Sequence, residues 1–219
     1  MRWACEYVDL EGQWSDELLE GVVAAKGSSL LICSAHDWTG DMRWDGPAAH
    51  KVYDRLDRFG DIVKIVGTAQ SVQDNYDLLA FRDRIAKAGK TKPLLTINMG
   101  VQGQLSRVLN PVLSPVTHPL LPGRAAPGQL TFAEIQSAMH LIGQTPRRQF
   151  CLFGTPIAHS KSPLLHNTGF QLLGLPHQYG RHETPTVDQS VVDFIRAPDF
   201  GGASVTIPHK VRRRSCRIC

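Results

Sequence analysis

The sequence predicts an α/β fold built on a parallel sheet, and three observations lead to this prediction. Short apolar runs alternate along the chain with longer amphipathic segments. The first four runs begin at residues 7, 29, 62 and 94, a spacing that leaves room for one helix between successive parallel strands. These runs are almost continuously apolar, which is typical of strands covered on both faces.

The individual elements follow from the same patterns. The apolar runs predict strands over Tyr7–Leu10, Ser29–Ser34, Ile62–Gly67 and Leu94–Met99. The amphipathic segments predict helices over Ser15–Lys26, Pro47–Phe59 and Val72–Ala88. We expect Ser15 to cap the first of these helices and Pro47 to occupy the first position of the second.

A second pattern begins after Thr145–Arg148, a polar junction marked by a proline. It predicts strands over 150–157, 177–183 and 201–208, with helices over Ser162–Leu173 and Val187–Arg196. The turns between these elements are richer in Gly, Pro and Ser than those before the junction. We therefore divide the chain into 1–146, 147–210 and a basic tail, 211–219.

Charge narrows the function classes. The 219 residues carry a net charge of +4, and the tail contains four arginines and no acid: Arg212, Arg213, Arg214 and Arg217. The remaining chain is neutral, so it lacks the basic surface that nucleic-acid binding requires. No apolar stretch approaches the ~20 residues that span a bilayer, and the acids in MRWACEYVDLEG interrupt any signal-peptide core.

Cysteine usage points to a reducing compartment. The five cysteines are scattered, and only Cys216 and Cys219 have CxxC spacing, with no second pair to complete a zinc site. We expect a cytoplasmic protein with reduced thiols that binds no metal, membrane or nucleic acid.

Lys64 is unusual because it lies inside the apolar run IVKIVG. If this run forms a central strand, burial disfavours the charged ammonium and favours the neutral amine that Schiff-base chemistry uses. The alternative is an edge-strand lysine whose ammonium reaches solvent along its apolar stem. The pattern alone leaves both interpretations open.

Polar groups follow the strands at three further places. His36 and Asp37 end the segment SLLICSAHD, where a histidine could exchange protons and Asp37 could orient it, although a plain surface histidine is the alternative. Gly100 and Gly103 permit close backbone approach, and Arg107 behind them could hold a carboxylate or be a solvated side chain. In AAPGQLTFAEI, the pair Thr131 and Glu134 predicts a capping box, which leaves Gln129 as the ligand candidate.

Five motifs in this order resemble type I 3-dehydroquinate dehydratase: YVDLE, SAHDW, GDIVKIVG, INMGVQGQLSRVLN and AAPGQL. The residues of these motifs are most similar to those of the version in the fungal pentafunctional arom polypeptide. The resemblance implies that residues 1–146 form part of a (β/α)8 barrel that begins near its fourth strand. A complete barrel takes ~250 residues, so we expect this one to lack a wall of its pocket.

The resemblance also implies roles for the residues above. Lys64 would form an imine with 3-dehydroquinate, and His36 would move the proton whose loss leads to 3-dehydroshikimate. Arg107 would hold the substrate carboxylate and Gln129 its hydroxyls, whereas Ala125 replaces a serine common in bacterial members. No metal or organic cofactor is implied, and a homodimer is left open.

The segments FCLFGTPIAHSKSPLLHN and GGASVTIPHK resemble the substrate-binding part of shikimate dehydrogenase. The resemblance implies that Ser160 and Ser162 bind the carboxylate of shikimate or 3-dehydroshikimate, and that Thr206 binds a ring hydroxyl. Lys210 would transfer the proton, and Ser204 stands where asparagine is common. Read alone, SKSP is an ordinary helix-capping sequence.

Three expectations concern what this chain does as a whole. Full-length dehydrogenases of this kind use NADP, but no GxGxxG occurs here, so we expect no dinucleotide site and no dehydrogenase turnover.

The tail resembles nothing in the family, which suggests a frameshift or an unspliced intron. The alternatives to an enzyme are a metabolite-sensing module like the quinate-pathway repressors, against which the retained Lys64, His36 and Arg107 argue, or an inactive truncated product.

Overall fold

The computed structural model describes residues 5–112 and 114–211, and these residues form two compact units that divide between Thr131 and Phe132. The predicted tail lies outside the described residues from 212 onward. No helix in the described part of the chain is long and apolar enough to cross a membrane.

The first unit is a four-stranded parallel sheet with helices between the strands. The strands are β1 (Tyr7–Glu11), β2 (Leu30–His36), β3 (Ile62–Thr68) and β4 (Leu94–Met99), in the order β1-β2-β3-β4. The helices are α1 (Asp16–Ala25), α2 (Pro47–Phe59), α3 (Gln73–Lys87) and the short α4 (Gln104–Val108). Among the described residues β1 and β4 do not pair, so the sheet is an open part of a barrel.

The helix ends follow the predicted chemistry. The Ser15 hydroxyl accepts a hydrogen bond from the Leu18 N–H at 3.3 Å, which caps α1, and Pro47 lies in the first turn of α2. Strands β1 and β3 each end one residue later than predicted, at Glu11 and Thr68, and β2 begins one residue later, at Leu30. The largest difference is at the end of β2, which continues two residues past Ser34. His36 is therefore the last residue of a strand and not a loop residue, because its pairing with Val66 extends the ladder to β3.

The two faces of this sheet have different environments. Alternate residues of β2 and β3, such as Leu31, Cys33, Val63 and Ile65, are fully buried against the helices and form the main core. The residues between them on β2 and β3 face the concave side of the sheet. On the neighbouring strand β1, Tyr7 is 49% exposed. We predicted that both faces of the sheet are covered. The helices cover one face, whereas the concave face is open and partly polar.

The second unit begins with α5 (Phe132–Leu141) and contains a separate parallel sheet. Its strands β5 (Gln149–Gly154), β6 (Gln178–Glu183) and β7 (Phe200–Val205) lie in the order β6-β5-β7. Helices α6 (Ser162–Leu172) and α7 (Gln189–Arg196) follow β5 and β6, and a 3-10 turn, His209–Val211, ends the described chain.

The largest differences from the predicted boundaries of the second unit are at three places, and the other differences are of one residue. β5 ends at Gly154 and β7 at Val205, three residues before the predicted ends at 157 and 208. Pro156 and Pro208 lie just beyond these ends, and proline has no N–H to continue a ladder. Helix α7 begins at Gln189 and not at Val187, because the Asp188 carboxylate caps it by accepting two backbone N–H bonds.

Candidate functional site

Lys64 lies on β3, an interior strand of the first sheet, and its side chain is only 15% exposed. This placement excludes the edge-strand interpretation. Its Nζ donates to Asp9 Oδ2 at 2.6 Å, and the other oxygen of Asp9 accepts from the Ser34 hydroxyl. The lysine amine is therefore mostly removed from water but held by a carboxylate that sequence reasoning did not assign.

His36 shares the concave face with Lys64. Ser34 pairs with Lys64 across β2 and β3, so His36, two residues further along β2, lies diagonally beyond it. Its Nδ1 is 3.2 Å from a carboxylate oxygen of Glu11, and the ring stacks on Trp38 with 5.9 Å between centroids. Because Nδ1 is engaged by Glu11, Nε2 is the nitrogen left to exchange a proton.

Asp37 does not orient His36, which corrects the sequence-based expectation. Its carboxylate turns back on its own loop and accepts hydrogen bonds from Thr39, Gly40 and Met42. Burial acts to raise the pKa of Asp37, but these hydrogen bonds outweigh it and hold the pKa below its usual value. Asp37 shapes the loop that carries Trp38, and Glu11 takes the orienting role.

Arg107 is buried in α4 and is not a solvated side chain. It is 3% exposed, its Nη1 donates to the Pro115 carbonyl at 3.3 Å, and its Nε has no hydrogen-bond partner within the described residues. Burial lowers the pKa of this guanidinium. A buried guanidinium with an unused N–H is prepared for an anionic partner, since leaving it unpaired is costly.

Gln129 reaches the same end of the sheet through a tight contact between two loops. Gly100 and Gly128 both have positive φ values, +84° and +71°, and a Cβ at Gly128 would overlap the Gly100 backbone. Gln129 is 5% exposed, and its Oε1 accepts from the Ala125 N–H at 3.1 Å. Its amide nitrogen is therefore the group that would meet a ligand.

A buried amide network fixes the loops after β4. The Asn98 side chain accepts from the Trp44 indole N–H at 2.7 Å and donates to the Asp74 carbonyl at 3.0 Å. The Asn98 N–H donates to the Ser106 hydroxyl at 2.9 Å, one residue before Arg107. Gly103 packs so closely on Asn98 that a Cβ there would lie 2.5 Å from the Asn98 carbonyl oxygen, which explains the glycine.

The concave face carries a partly open cavity of about 580 Å³. Lys64 and Asp9 contribute polar atoms to it, and much of the remaining lining is apolar, including Ile32, Ile62 and Leu95. Within the described ranges, Lys64, His36, Arg107 and Gln129 make no direct hydrogen bonds with one another. Lys64 lines this cavity, whereas His36, Arg107 and Gln129 are not among its lining residues.

The second unit places its predicted residues after neighbouring strands. Ser160 and Ser162 follow β5 at the start of α6, and the Ser162 N–H donates to the Ser160 hydroxyl at 3.3 Å. Thr206 and Lys210 follow β7, which pairs with β5, and the Thr206 N–H donates to the Phe153 carbonyl at 2.9 Å. These four residues thus belong to the carboxyl edge of one parallel sheet, where ligand sites form.

Ser204 differs from these four because it is an exposed residue within β7, paired with Leu152. Arg181, which sequence reasoning missed, donates to the Ser160 carbonyl at 2.7 Å and holds that loop. No motif signals Arg181, whereas Asp9 and Glu11 stand inside the quoted motif YVDLE and could have been singled out as acids in an apolar strand.

The fold and the side chains together define a class of protein. The first unit is a parallel βα sheet with a shielded strand lysine and a carboxylate-held histidine on one face. Such a pair suits imine-based proton abstraction on a small carbonyl compound. The second is a small parallel sheet with hydroxyl side chains at a helix start.

The type I 3-dehydroquinase family model matches residues 1–146, and the chain belongs to this family. Residues 152–216 match the shikimate dehydrogenase substrate-binding domain. Substrate-binding domains of these kinds take small molecules. The compact units divide earlier than the family match, since α5 packs with the second unit.

Similar proteins combine the same two parts. The chain is 56% identical over 211 residues to the pentafunctional AROM polypeptide of Mycosarcoma maydis, covering 96% of this chain and 12% of that protein. It also matches the structure of dehydroquinate dehydratase and shikimate dehydrogenase from S. pombe AroM with a TM-score of 0.89 and 46% identity, covering 96% of this chain and 39% of that one.

A bacterial relative matches the barrel part. The structure of type I 3-dehydroquinate dehydratase from Clostridium difficile, with covalently modified comenic acid, aligns with a TM-score of 0.53 and 25% identity over 63% of this chain and 54% of that one. The chain spans about an eighth of the length of the curated AROM relative from Mycosarcoma maydis.

Proposed function

We propose that the first unit dehydrates 3-dehydroquinate to 3-dehydroshikimate through an imine on Lys64. The observation that carries this proposal is the placement of Lys64: a mostly buried amine on an interior strand, open to a cavity and one diagonal step from His36. Covalent modification in the Clostridium difficile relative is consistent with such chemistry in this family.

The reaction divides between the two residues. The neutral Lys64 amine adds to the C3 ketone, and loss of water gives a protonated imine, which withdraws electrons from the neighbouring carbon. His36 Nε2 then removes the C2 proton, and the electron pair passes into the imine. The same histidine returns a proton to the departing C1 hydroxyl, which leaves as water, and hydrolysis frees the product.

Substrate binding falls to the loops beyond β4. The unpaired Nε–H of Arg107 and its neighbouring Nη groups would bind the substrate carboxylate, an arrangement suited to bidentate contact. The amide nitrogen of Gln129 would donate to a substrate hydroxyl. Ala125 offers only its backbone, which already contacts Gln129, so one hydroxyl contact common in bacterial relatives would be missing.

The second unit binds shikimate or 3-dehydroshikimate without a cofactor in this proposal. Ser160 and Ser162 would hold the carboxylate at the start of α6, Thr206 a ring hydroxyl, and Lys210 would lie beside the group that changes oxidation state. Ser204 would make a weaker contact than asparagine. The turn from β5 to α6 reads TPIAHSKSP and does not fit a dinucleotide phosphate, so no hydride step is assigned to this chain.

The proposal also covers the cellular location, the binding partners and the cofactors. We expect the chain to act in the cytoplasm on these small molecules, without nucleic-acid or membrane partners. The dehydration chemistry uses only side chains of the first unit and asks for no metal or organic cofactor.

Turnover of 3-dehydroquinate tests the dehydratase proposal. The product is a conjugated enone, so its formation is followed by ultraviolet absorbance. Lys64→Met is expected to remove activity and His36→Ala to lower it by at least about 100-fold. Lys26→Met is the matched control, since Lys26 pairs with Asp61 at 2.5 Å outside the site. Activity retained in Lys64→Met would contradict the proposal.

Binding without turnover would favour the sensing alternative. Calorimetric titration of the whole chain with 3-dehydroquinate and with shikimate shows whether the chain binds these compounds when it does not turn them over.

For the second unit, Ser160→Ala and Thr206→Ala are each expected to weaken shikimate binding by about tenfold, while Thr168→Ala on the exposed part of α6 leaves it unchanged. Equal affinities for all these variants would refute the assignment of these residues.

A further inference from the structure

We propose that Asp9 is the residue that carries protons to and from Lys64 while the imine forms. This inference rests on the proposed dehydratase function and deepens it. It adds to the lysine and the histidine a third group that acts in the reaction before any proton leaves carbon.

The geometry around Asp9 carries the inference. Asp9 lies on β1, two strands from Lys64, and pairs with Ile32 on β2, whereas Ser34, two residues further along β2, pairs with Lys64 on β3. Oδ2 accepts from Lys64 Nζ at 2.6 Å, and Oδ1 accepts from the Ser34 hydroxyl. Ser34 is fully buried, so one oxygen of the carboxylate is fixed from below and the other is held against the amine.

Asp9 also remains accessible from the cavity. Its side chain is 44% exposed while Lys64 is 15% exposed, and both line the same cavity of about 580 Å³. A ketone that reaches the amine through this cavity therefore meets the carboxylate beside the reacting nitrogen.

The proposed steps balance in protons and electrons. Asp9 accepts one proton from the Lys64 ammonium, and the freed amine forms a bond to the carbonyl carbon while the carbonyl π electrons move to oxygen. A proton passes from nitrogen to that oxygen and gives the carbinolamine. Asp9 then returns its proton to the carbinolamine hydroxyl, which leaves as water, and the nitrogen lone pair forms the iminium.

The test uses a carbonyl compound that needs no binding site, so that it does not depend on recognition of 3-dehydroquinate. Formaldehyde with cyanoborohydride methylates amines through an imine, and peptide mapping of the whole chain gives the rate at Lys64 alone. Cyanoborohydride is raised until the rate no longer depends on it, which makes imine formation limiting. The variants are Asp9→Ala and, as a near-isosteric second choice that is easier to fold, Asp9→Asn.

The direction of the change separates proton transfer from simple pairing. If Asp9 carries protons, methylation of Lys64 slows by at least about tenfold in both variants, and added formate restores most of the rate in Asp9→Ala. If Asp9 only pairs with the ammonium, its removal frees the amine and methylation becomes faster. The matched control is Lys26 in Asp61→Asn, an ion pair outside the site, where faster methylation is expected.

A rate at Lys64 that is unchanged or faster, or slower without rescue by formate, overturns the inference. A separate measurement tests the dehydratase proposal: if the unsubstituted chain does not turn over 3-dehydroquinate, that proposal fails. Slow, formate-rescued methylation in such a chain would still establish Asp9 as the proton carrier of Lys64.

Discussion

The Nδ1 atom of His36 lies 3.2 Å from Glu11 Oε1, across the pair of strands β2 and β1. This contact sets the tautomer of the imidazole, because a proton on Nδ1 is held by the carboxylate and Nε2 is left as the base. The stacked Trp38 ring limits rotation of the same imidazole. Two acids of the single strand β1 thus contact both Lys64 and His36.

Glu11→Gln tests this relationship. The amide keeps the size of the side chain but no longer stabilises the imidazolium, so kcat is expected to fall by about 10- to 100-fold with KM changed less than about twofold. Steady-state kinetics and nitrogen NMR of the imidazole together measure it. A normal kcat with a normal Nδ1–H tautomer would show that Glu11 does not act through His36. Glu17→Gln, in the first turn of α1, is the control.

The contact between Gly100 and Gly128 makes a second prediction. Gly128→Ala forces a Cβ into the Gly100 backbone at a φ of +71°, which displaces the loop that carries Gln129. We expect KM for 3-dehydroquinate to rise at least about tenfold, together with a loss of about 2 kcal/mol in the free energy of unfolding. Gly123→Ala, which meets no atoms within 4 Å, is the matched control. Equal behaviour of the two variants would contradict the account of this turn.

Asp74 makes a prediction about acid stability. Burial acts to raise its pKa, but hydrogen bonds from the Ser71 and Gln70 N–H groups and the charge of Arg43 lower it overall. A lowered folded-state pKa stabilises the fold above the unfolded value near 4, and this contribution disappears as the pH falls through the folded value. Asp74→Asn should therefore be less stable than the parent chain at pH 7.

Chemical unfolding of both chains between pH 7 and pH 3 measures this difference. The gap in the free energy of unfolding should narrow once the pH falls below about 4. A gap that stays constant over this range would show that the Asp74 charge does not contribute.

Arg181 makes a prediction for the second unit. Its guanidinium holds the Ser160 carbonyl at 2.7 Å, so Arg181→Met should loosen the loop before α6 and weaken shikimate binding by about 3- to 10-fold. Arg196→Met removes an exposed arginine at the end of α7 and should leave the affinity unchanged. Calorimetric titration compares the two, and equal losses would mean that net charge, and not the loop, governs binding.

Much of this architecture could be predicted from local patterns. Continuous apolar runs give the four strands of the first sheet, and the ends of Pro47–Phe59 and Leu94–Met99 were predicted correctly. The partial barrel and its joining to a shikimate dehydrogenase part came from the motifs and were confirmed by the family models. The roles of the site residues remain predictions.

The partners of the site residues could not be predicted in the same way. Asp37 is adjacent to His36 in the sequence, but its carboxylate is used by its own turn, and Glu11, 25 positions away, takes its place. Lys64 and Asp9 are 55 positions apart. Such pairs depend on the register between strands and on which face each residue occupies, and neither is written in a local pattern.

The most direct measurement of the central claim is borohydride reduction in the presence of 3-dehydroquinate, read by intact mass and peptide mapping. We predict one adduct, located on Lys64, absent in Lys64→Ala and still formed in His36→Ala, because imine formation precedes proton abstraction. An unmodified chain that is folded by circular dichroism, or an adduct that persists in Lys64→Ala, would contradict the claim that this cavity assembles an imine-forming site.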